Sequence, residues 1–336
     1  NVDTERYRNY LALGRALASE AGGRLLFLTV FGSVLYGTDI PGRSDEDVRG
    51  IYLPAPCTDP LHAPGLHYSS AAQGTRSTAG DTDCDLLPLD RWLLSDLPRG
   101  DTGALDLLYA PSRPSCLLFV EPALRPVFKT PRIFLNLCSG EACRDYAFRQ
   151  GSRYGLAGTR TGALYRVWKA LDSGAFPLKA PLRGYAGKLA ELAESPLHCT
   201  LLEDGGLRLA GSVDEGCVRL GVLRDRVRRR LQGHLPRVQA AMEGKNVDWK
   251  ALSHAVRAIR QQEELLETGR LVFPLRDKAE ILSIKKGALS FQEAEGVITR
   301  GLAGLVGLRA ASPYSVPWKE EEARAICAAV RGSLAG

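Results

Sequence analysis

The chain has 336 residues, a length that favours about two domains. Its share of hydrophobic residues, 45%, and of charged residues, 24%, is typical of globular proteins and excludes a disordered or fibrous chain. The longest strongly apolar stretch, Leu25 to Leu35, is 11 residues long. A membrane span needs ~20 such residues, so we expect a cytoplasmic protein without a membrane partner.

Charge is divided unevenly along the chain. Residues 1–125 carry 11 Arg, no Lys and 16 acidic residues, a net charge of −5. Residues 126–336 carry 33 Lys and Arg and 22 acidic residues, a net charge of +11. This division favours an N-terminal part that holds cations and a C-terminal part that attracts polyanions, with ordinary solvated surface as the alternative.

The first 125 residues have the pattern of a small domain with a mixed sheet. We predict, in order, a helix over 4–21, a buried strand in RLLFLTVFGS ending at Gly32-Ser33, a strand in DVRGIYLPAP, a loop over 55–80, a strand over 83–89 and two short helices before residue 111.

The remainder of the chain has a helical period. We predict helices near 131–150, 152–172, 183–195, 217–242, 248–268, 276–286, 290–308 and 319–333, and a hairpin over 198–211 that turns at Asp204-Gly205-Gly206. Four prolines fall between residues 111 and 126 and mark a boundary. We therefore expect an α+β protein with a mixed-sheet domain, residues 1–125, followed by a mainly helical, basic domain, residues 126–336.

The strongest chemical signal combines Gly32-Ser33 with Asp45 and Asp47. On a strand the two aspartates are i and i+2, so both carboxylates lie on one face, where they repel each other unless a cation lies between them. Hard oxygen ligands select Mg²⁺ or Mn²⁺. A tight Gly-Ser turn offers backbone N–H groups and a hydroxyl to phosphate oxygens. Together these features indicate metal-assisted phosphoryl or nucleotidyl transfer.

A third carboxylate is expected from a neighbouring strand. Asp83 and Asp85, in the segment DCDLLPL, share one strand face. Asp85 is the preferred catalytic candidate because it lies deeper in the strand, and both are candidate metal ligands. The alternative for this pair is the solvated edge of a strand.

The other residues with ligand chemistry show no metal-site spacing. The eight cysteines include no C-x-x-C and are expected to be mostly reduced and buried, as in a cytosolic protein. The histidines His62, His67, His198 and His234 have no second ligand at a metal spacing and are interpreted as loop or core residues.

Five segments carry a resemblance to a known family. These are FGSVLYGTDIPGRSDEDVRGIYLP, LPLDRWLLSDLPRGDTGALDLLYAP (87–111), YAFRQ (146–150), KALSHAVRAIRQQEELLETGRLVFPL (250–275) and IKKG (284–287). They resemble predicted nucleotidyltransferases of the DNA polymerase β superfamily, in the RNA-ligase-associated, RlaP-like branch. The segment Gly103-Ala104-Leu105-Asp106 departs from the Asn-Pro…Glu of that family.

The resemblance implies a polymerase β-like palm followed by a helical domain, with an NTP as substrate. By analogy, Gly32 and Ser33 would hold the triphosphate, Asp45 and Asp47 both metal ions, and the third aspartate the catalytic metal. Arg49, in the same motif, is a further candidate for nucleotide binding. The family's association also implies an RNA ligase as a partner in the same pathway.

Lys250, His254 and Arg257 are i, i+4 and i+7 of a predicted helix and share one face. We expect this stripe to bind nucleotide by facing the Gly32 and Asp47 region across a groove. The alternative is a solvated stripe on an amphipathic helix.

The segment LRDRVRRRLQGHLPR (223–237) holds six arginines and no aromatic residue. Such a segment would contact phosphates and not bases if it binds RNA, and it is otherwise a solvated helix surface.

The sequence therefore favours a Mg²⁺-dependent nucleotidyltransferase that moves NMP from an NTP to a hydroxyl, with an RNA end as the preferred acceptor. The first alternative is transfer to a protein or a small molecule. The second is a non-catalytic nucleotide- or RNA-binding module, which would not require paired carboxylates.

Overall fold

A computed structural model describes residues 4–42, 46–56, 59–71, 81–151, 159–242, 245 and 247–334. The strands are β1 Arg24–Val30, β2 Glu46–Leu53, β3 Leu66–Ser69, β4 Thr82–Pro88, β5 Leu117–Val120, β6 Cys199–Leu201, β7 Leu207–Leu209 and β8 Ser212–Asp214. The helices are α1 Thr4–Glu20, α2 Gly32–Tyr36, α3 Leu89–Arg91, α4 Thr102–Tyr109, α5 Arg125–Lys129, α6 Glu141–Gly151, α7 Arg160–Asp172, α8 Ala186–Leu192, α9 Leu220–Leu231, α10 Leu235–Met242, α11 Trp249–Thr268, α12 Lys278–Lys285, α13 Phe291–Ala311 and α14 Glu320–Leu334.

The chain forms two compact units, and the expected α+β class is confirmed. The first unit contains residues 1–143, 260–282 and 305–336, and the second contains 144–259 and 283–304. This division differs from the single boundary expected at residue 125. Two late segments join the first unit because their helices pack there: the α14 residue Arg331 forms an ion pair with the buried carboxylate of Asp90.

The first unit is built on a five-stranded mixed sheet of order β3-β4-β2-β1-β5. β2 and β4 run parallel, and the other neighbours are antiparallel. One face packs on α1, where Gly14 leaves room for the side chain of Leu28. Val48 and Cys84 lie on the same face and are fully buried.

The opposite sheet face changes character along the strands. At one end it is apolar: Phe27, the neighbour of Ile51 in register, lies 5.3 Å from the ring of Phe128, which in turn lies 6.3 Å from Trp92. At the other end the same face carries aspartates and an arginine. The apolar end gives the unit its core, and the polar end is left for the candidate site.

The second unit has its own core. The predicted hairpin is confirmed as β6 and β7, to which β8 adds a third antiparallel strand. In the turn, Gly205 has a φ of +77°, and the Asp204 carboxylate accepts hydrogen bonds from the N–H groups of Gly206 and Gly216, both at 2.9 Å. Leu207 and Leu209 of β7 are buried in one cluster with Leu223 of α9.

Besides β8, two further strands lie where no strand was expected. β3 falls in the predicted loop 55–80, and β5 lies between the prolines of the boundary segment. Each has four residues, which is too short for alternation to distinguish a strand from a loop.

All seven described cysteines are free thiols, and five of them are buried, as expected. None of the helices in the described ranges is long and apolar enough to cross a membrane.

Candidate active site

Four charged residues form two rows across the parallel strands of the first unit. Asp47 of β2 is in register with Asp83 of β4, and Arg49 is in register with Asp85. Because side chains alternate along a strand and register neighbours point to the same side, all four lie on one face of the sheet. The row of two carboxylates is the outer one, at the second residue of each strand.

The Gly-Ser turn lies directly against the outer row. The Phe31 N–H donates to the carbonyl oxygen of Asp47 at 2.7 Å, and this bond closes the end of β1 on the start of β2. Gly32 has a φ of +64°, and a Cβ at this position would overlap a carboxylate oxygen of Asp47. Glycine is therefore required here both by backbone conformation and by the approach of the carboxylate.

The turn continues into the short helix α2, whose end is held from outside. Arg113 donates to the carbonyl oxygens of Val34 and Leu35, the latter at 3.0 Å, and the Leu275 N–H donates to that of Tyr36 at 3.1 Å. These bonds satisfy carbonyl groups that a helix end otherwise leaves open.

A buried carboxylate fixes the side of α2 that faces the core. Asp106 of α4 is fully buried and accepts hydrogen bonds from the Tyr36 hydroxyl at 2.7 Å and from the Gln261 side-chain amide at 2.6 Å. Asp106 lies in the segment that departs from the family pattern. The structure therefore gives that segment a positioning role beneath the Gly-Ser turn.

The inner row is an ion pair. The guanidinium of Arg49 lies 3.2 Å from a carboxylate oxygen of Asp85 and 4.5 Å from the ring centroid of Phe31. It also packs against Gly103, where a Cβ would lie 2.7 Å from one of its nitrogens. Asp85 has a second partner, His67 of β3, whose Nδ1 lies 2.7 Å from the other carboxylate oxygen.

Asp83 and Asp85 are thus distinguished by their neighbours. Asp83 is beside Asp47, whereas Asp85 is beside Arg49 and His67. The deeper strand position that made Asp85 the preferred candidate is the position that gives it a cationic partner. In register, the neighbour of Asp47 is therefore Asp83 and not Asp85.

Asp45 lies outside the described residues, so its role as a metal ligand stays a prediction. Among the residues that the structure does describe, no group of three His, Cys, Asp or Glu side chains is close enough to hold a metal ion.

The three residues of the predicted stripe lie on α11 in the second unit. Lys250 is exposed, whereas Arg257 is only 5% exposed and donates to the Tyr146 hydroxyl at 3.3 Å. Burial, followed by the charges of Arg257, Lys250 and Lys285, lowers the pKa of His254 to about 3. His254 is therefore neutral at pH 7, and the stripe is not the evenly solvated face of the alternative interpretation. Whether it faces the Gly32 and Asp47 region stays a prediction.

His67, Arg113 and Gln261 were not found as site residues by sequence reasoning. Each is joined to the site by a contact across 18 to 155 positions of sequence, and none lies in a short motif. The interpretation of His67 as an isolated loop histidine is wrong: it lies in β3 and pairs with Asp85. A strand prediction over Leu66–Ser69 would have indicated the position of His67, but four residues are too few for such a prediction.

The chain resembles a phage protein along most of its length. It is 28% identical over 289 residues to an uncharacterized 38.9 kDa protein in the nrdC-mobD intergenic region of Enterobacteria phage T4, covering 79% of this chain and 83% of that protein. No protein-family profile and no solved structure matches the chain. Any assignment of function therefore rests on the residues of the site.

Proposed function

We propose that the protein is a metal-dependent nucleotidyltransferase that moves NMP from an NTP to a hydroxyl acceptor, with an RNA end as the preferred acceptor. The observation that carries the proposal is the outer row: Asp47 and Asp83 in register, with Gly32 closed against Asp47. Two carboxylates side by side are unfavourable without a cation between them, and a glycine with no room for a Cβ brings backbone close to the same carboxylate.

The residues of the outer row fit a hard divalent cation. Their donors are carboxylate oxygens, which suit Mg²⁺ or Mn²⁺. The sequence predicts Asp45 as a further ligand. Asp45 and Asp47 would hold both ions, and Asp83 would complete the ligands of one of them. The bound ions would supply charge stabilisation to the attacking and leaving oxygens.

The chain's own groups would bind and orient the substrates. Gly32 and Ser33 would hold phosphate oxygens, and Asp83 would accept the proton of the acceptor hydroxyl. The acceptor oxygen would form a bond to the α-phosphorus, the bond from that phosphorus to the bridging oxygen would break, and pyrophosphate would leave. Arg49 contacts Asp85 and Phe31. It would therefore stabilise the sheet beneath the site and would not bind the triphosphate.

The alternative of a non-catalytic binding module is weakened by the same row, because nucleotide binding alone does not require Asp47 and Asp83 together. Transfer to a protein or a small molecule differs only in the acceptor. The preference for RNA rests on the resemblance and on the basic composition of residues 126–336.

One experiment tests the reaction and the acceptor together. Purified protein with Mg²⁺ is incubated with each α-³²P-labelled NTP and either total RNA, total protein or a small-molecule extract. We expect label in RNA with wild type and none with Asp47→Asn or Asp83→Asn. Asp172→Asn, an exposed aspartate of the second unit, is the matched control and should retain full activity. Label transfer that survives Asp47→Asn would refute the proposed site.

A further inference from the structure

The second unit is the strongly basic part of the molecule. It carries 23 Lys and Arg against 13 Asp and Glu, a net charge of +10, although the whole chain has only +6. Net charge alone does not define a binding surface, because paired cations contribute little to an external partner. A binding surface is defined by the cations that have no partner within the protein.

The segment 223–237 contains six arginines. Three of them in α9 have partners within the protein, and a fourth lies in α10. Arg224 donates to Asp225 at 2.9 and 3.0 Å, and Arg226 forms an ion pair of 2.6 Å with the buried Asp214. Arg230 donates to the carbonyl oxygens of Leu209 and Ala210, both at 2.9 Å. Arg226 and Arg230 thus hold the helix to its surroundings, the bond of Arg224 lies within the helix, and Arg237 lies in α10.

Arg228 and Arg229 differ from them. Both side chains are exposed, and neither has a hydrogen-bond or ion-pair partner among the described residues. They line an open groove of about 580 Å³ between the end of α9 and the start of α10. The other lining residues are Asp225, Gln232, Leu235 and Pro236. Asp225 is the only acidic residue in this lining, and its carboxylate is already bound by Arg224.

We propose that this groove binds the phosphodiester backbone of a nucleic-acid strand through Arg228 and Arg229. Two neighbouring guanidinium groups match phosphate oxygens, which accept paired N–H donors. The groove lining contains no aromatic side chain on which a base could stack, so the contact is independent of base sequence. The surface is distinct from the carboxylate site and holds whether or not the first unit transfers nucleotides.

The test is the salt dependence of binding to a fluorescein-labelled 20-nucleotide single-stranded RNA, measured by anisotropy from 0.05 to 1 M NaCl. Each lost contact to a single strand lowers the slope of log K against log salt by about 0.7, so Arg228→Ala/Arg229→Ala should lower it by about 1.4. Over the decade from 1 M to 0.1 M salt this difference corresponds to roughly 25-fold weaker binding at 0.1 M. The loss should be equal for several RNA sequences.

The matched control is Arg8→Ala/Arg125→Ala, which removes the same charge from exposed arginines of the first unit and should change the slope by less than half as much. Equal effects of the two double variants would show that net charge and not the groove drives binding, and would overturn the proposal. An unchanged slope in Arg228→Ala/Arg229→Ala would overturn the proposal as well. So would a variant that loses binding to phosphatidylserine vesicles, measured in parallel, but keeps its binding to RNA. Binding is measured without NTP, so a failed transferase assignment would not be confused with a failed groove.

Discussion

Gly32 is the residue at which backbone conformation and site chemistry meet. Its left-handed φ costs an alanine about 1–2 kcal/mol, and its missing Cβ leaves room for the Asp47 carboxylate. Gly42 offers the matched control, because its φ is +73° and a Cβ there would meet nothing within 4 Å.

We therefore predict that Gly32→Ala lowers the free energy of unfolding by more than Gly42→Ala does, in urea titrations followed by circular dichroism. Gly42→Ala measures the cost of the backbone conformation alone. The additional loss of unfolding free energy in Gly32→Ala measures the cost of displacing the Asp47 carboxylate. Transfer activity should be lost in this variant as well. Equal destabilisation by the two substitutions would show that Asp47 does not lie where the structure places it.

The three aspartates of β2 and β4 should differ in their effects. Asp47→Asn and Asp83→Asn should each reduce transfer by several orders of magnitude, because a charge that we propose to hold the metal is lost. Asp85→Asn should reduce it less, since Asp85 is bound to Arg49 and His67. In the absence of metal, the thermal stability of Asp47→Asn should stay level or rise, because one like charge is removed from the row.

The measurement for this comparison is kcat with each variant at saturating Mg²⁺, with melting temperature in EDTA as the stability check. If Asp85→Asn were the more damaging of the β4 variants at equal stability, the sequence-based preference for Asp85 would be restored.

At the scale of secondary structure, α2 and α4 are joined by the contact between Tyr36 and Asp106. Tyr36→Phe removes one hydrogen bond to a fully buried carboxylate, and we expect a cost of about 1–2 kcal/mol in the free energy of unfolding. Asp106→Leu should cost more, because it leaves both the Tyr36 hydroxyl and the Gln261 amide without their acceptor. A double-mutant cycle between positions 36 and 106 should give a coupling energy of about 1 kcal/mol, and a coupling near zero would contradict the contact.

The free energy of unfolding should depend on pH through His254 of α11. The unfolded chain binds a proton at this residue below about pH 6.5, whereas the folded chain binds it only near pH 3. Stability contributed by the neutral imidazole is therefore complete above pH 6.5 and is lost as the pH falls toward 3. The expected loss is about 1.4 kcal/mol per pH unit.

The check is urea unfolding at pH 7, 6, 5 and 4, for wild type and His254→Gln. The difference between the two proteins should shrink by about that amount per pH unit below 6.5, since glutamine does not titrate. A constant difference across this range would mean that His254 titrates normally in the folded protein.

The predicted helices and strands were most accurate where the apolar pattern extends over many residues. α1, β1, β2, β4 and α11 were found close to their observed bounds because each has an apolar pattern of seven or more residues. The predicted helix over 217–242 is two helices, α9 and α10, and their break at Gln232–His234 contains Gly233, a weak helix former. The Gly-Ser turn and the aspartates were visible in sequence, but the division of Asp83 from Asp85 required the register of β2 on β4.

At the scale of the whole molecule, the second unit is predicted to take part in nucleotide binding through Lys250 and Arg257. If Lys250 and Arg257 bind the triphosphate, Lys250→Ala should raise KM for the NTP at least tenfold, whereas Lys179→Ala, another exposed lysine of the same unit, should not. Equal KM values for Lys250→Ala and wild type would remove the stripe from the site.

The first unit is discontinuous in sequence, and this has a consequence for synthesis. Its sheet is complete in the first 143 residues, but the Arg331 partner of the buried Asp90 lies on α14. A chain that emerges from the ribosome at about 5–20 residues per second leaves Asp90 without its Arg331 partner for roughly 10–40 s. During that interval the second unit can already fold, since residues 144–259 contain most of its core. The unit that begins the chain is thus the last to be finished, and chaperone dependence should fall on the first unit and not on the basic unit.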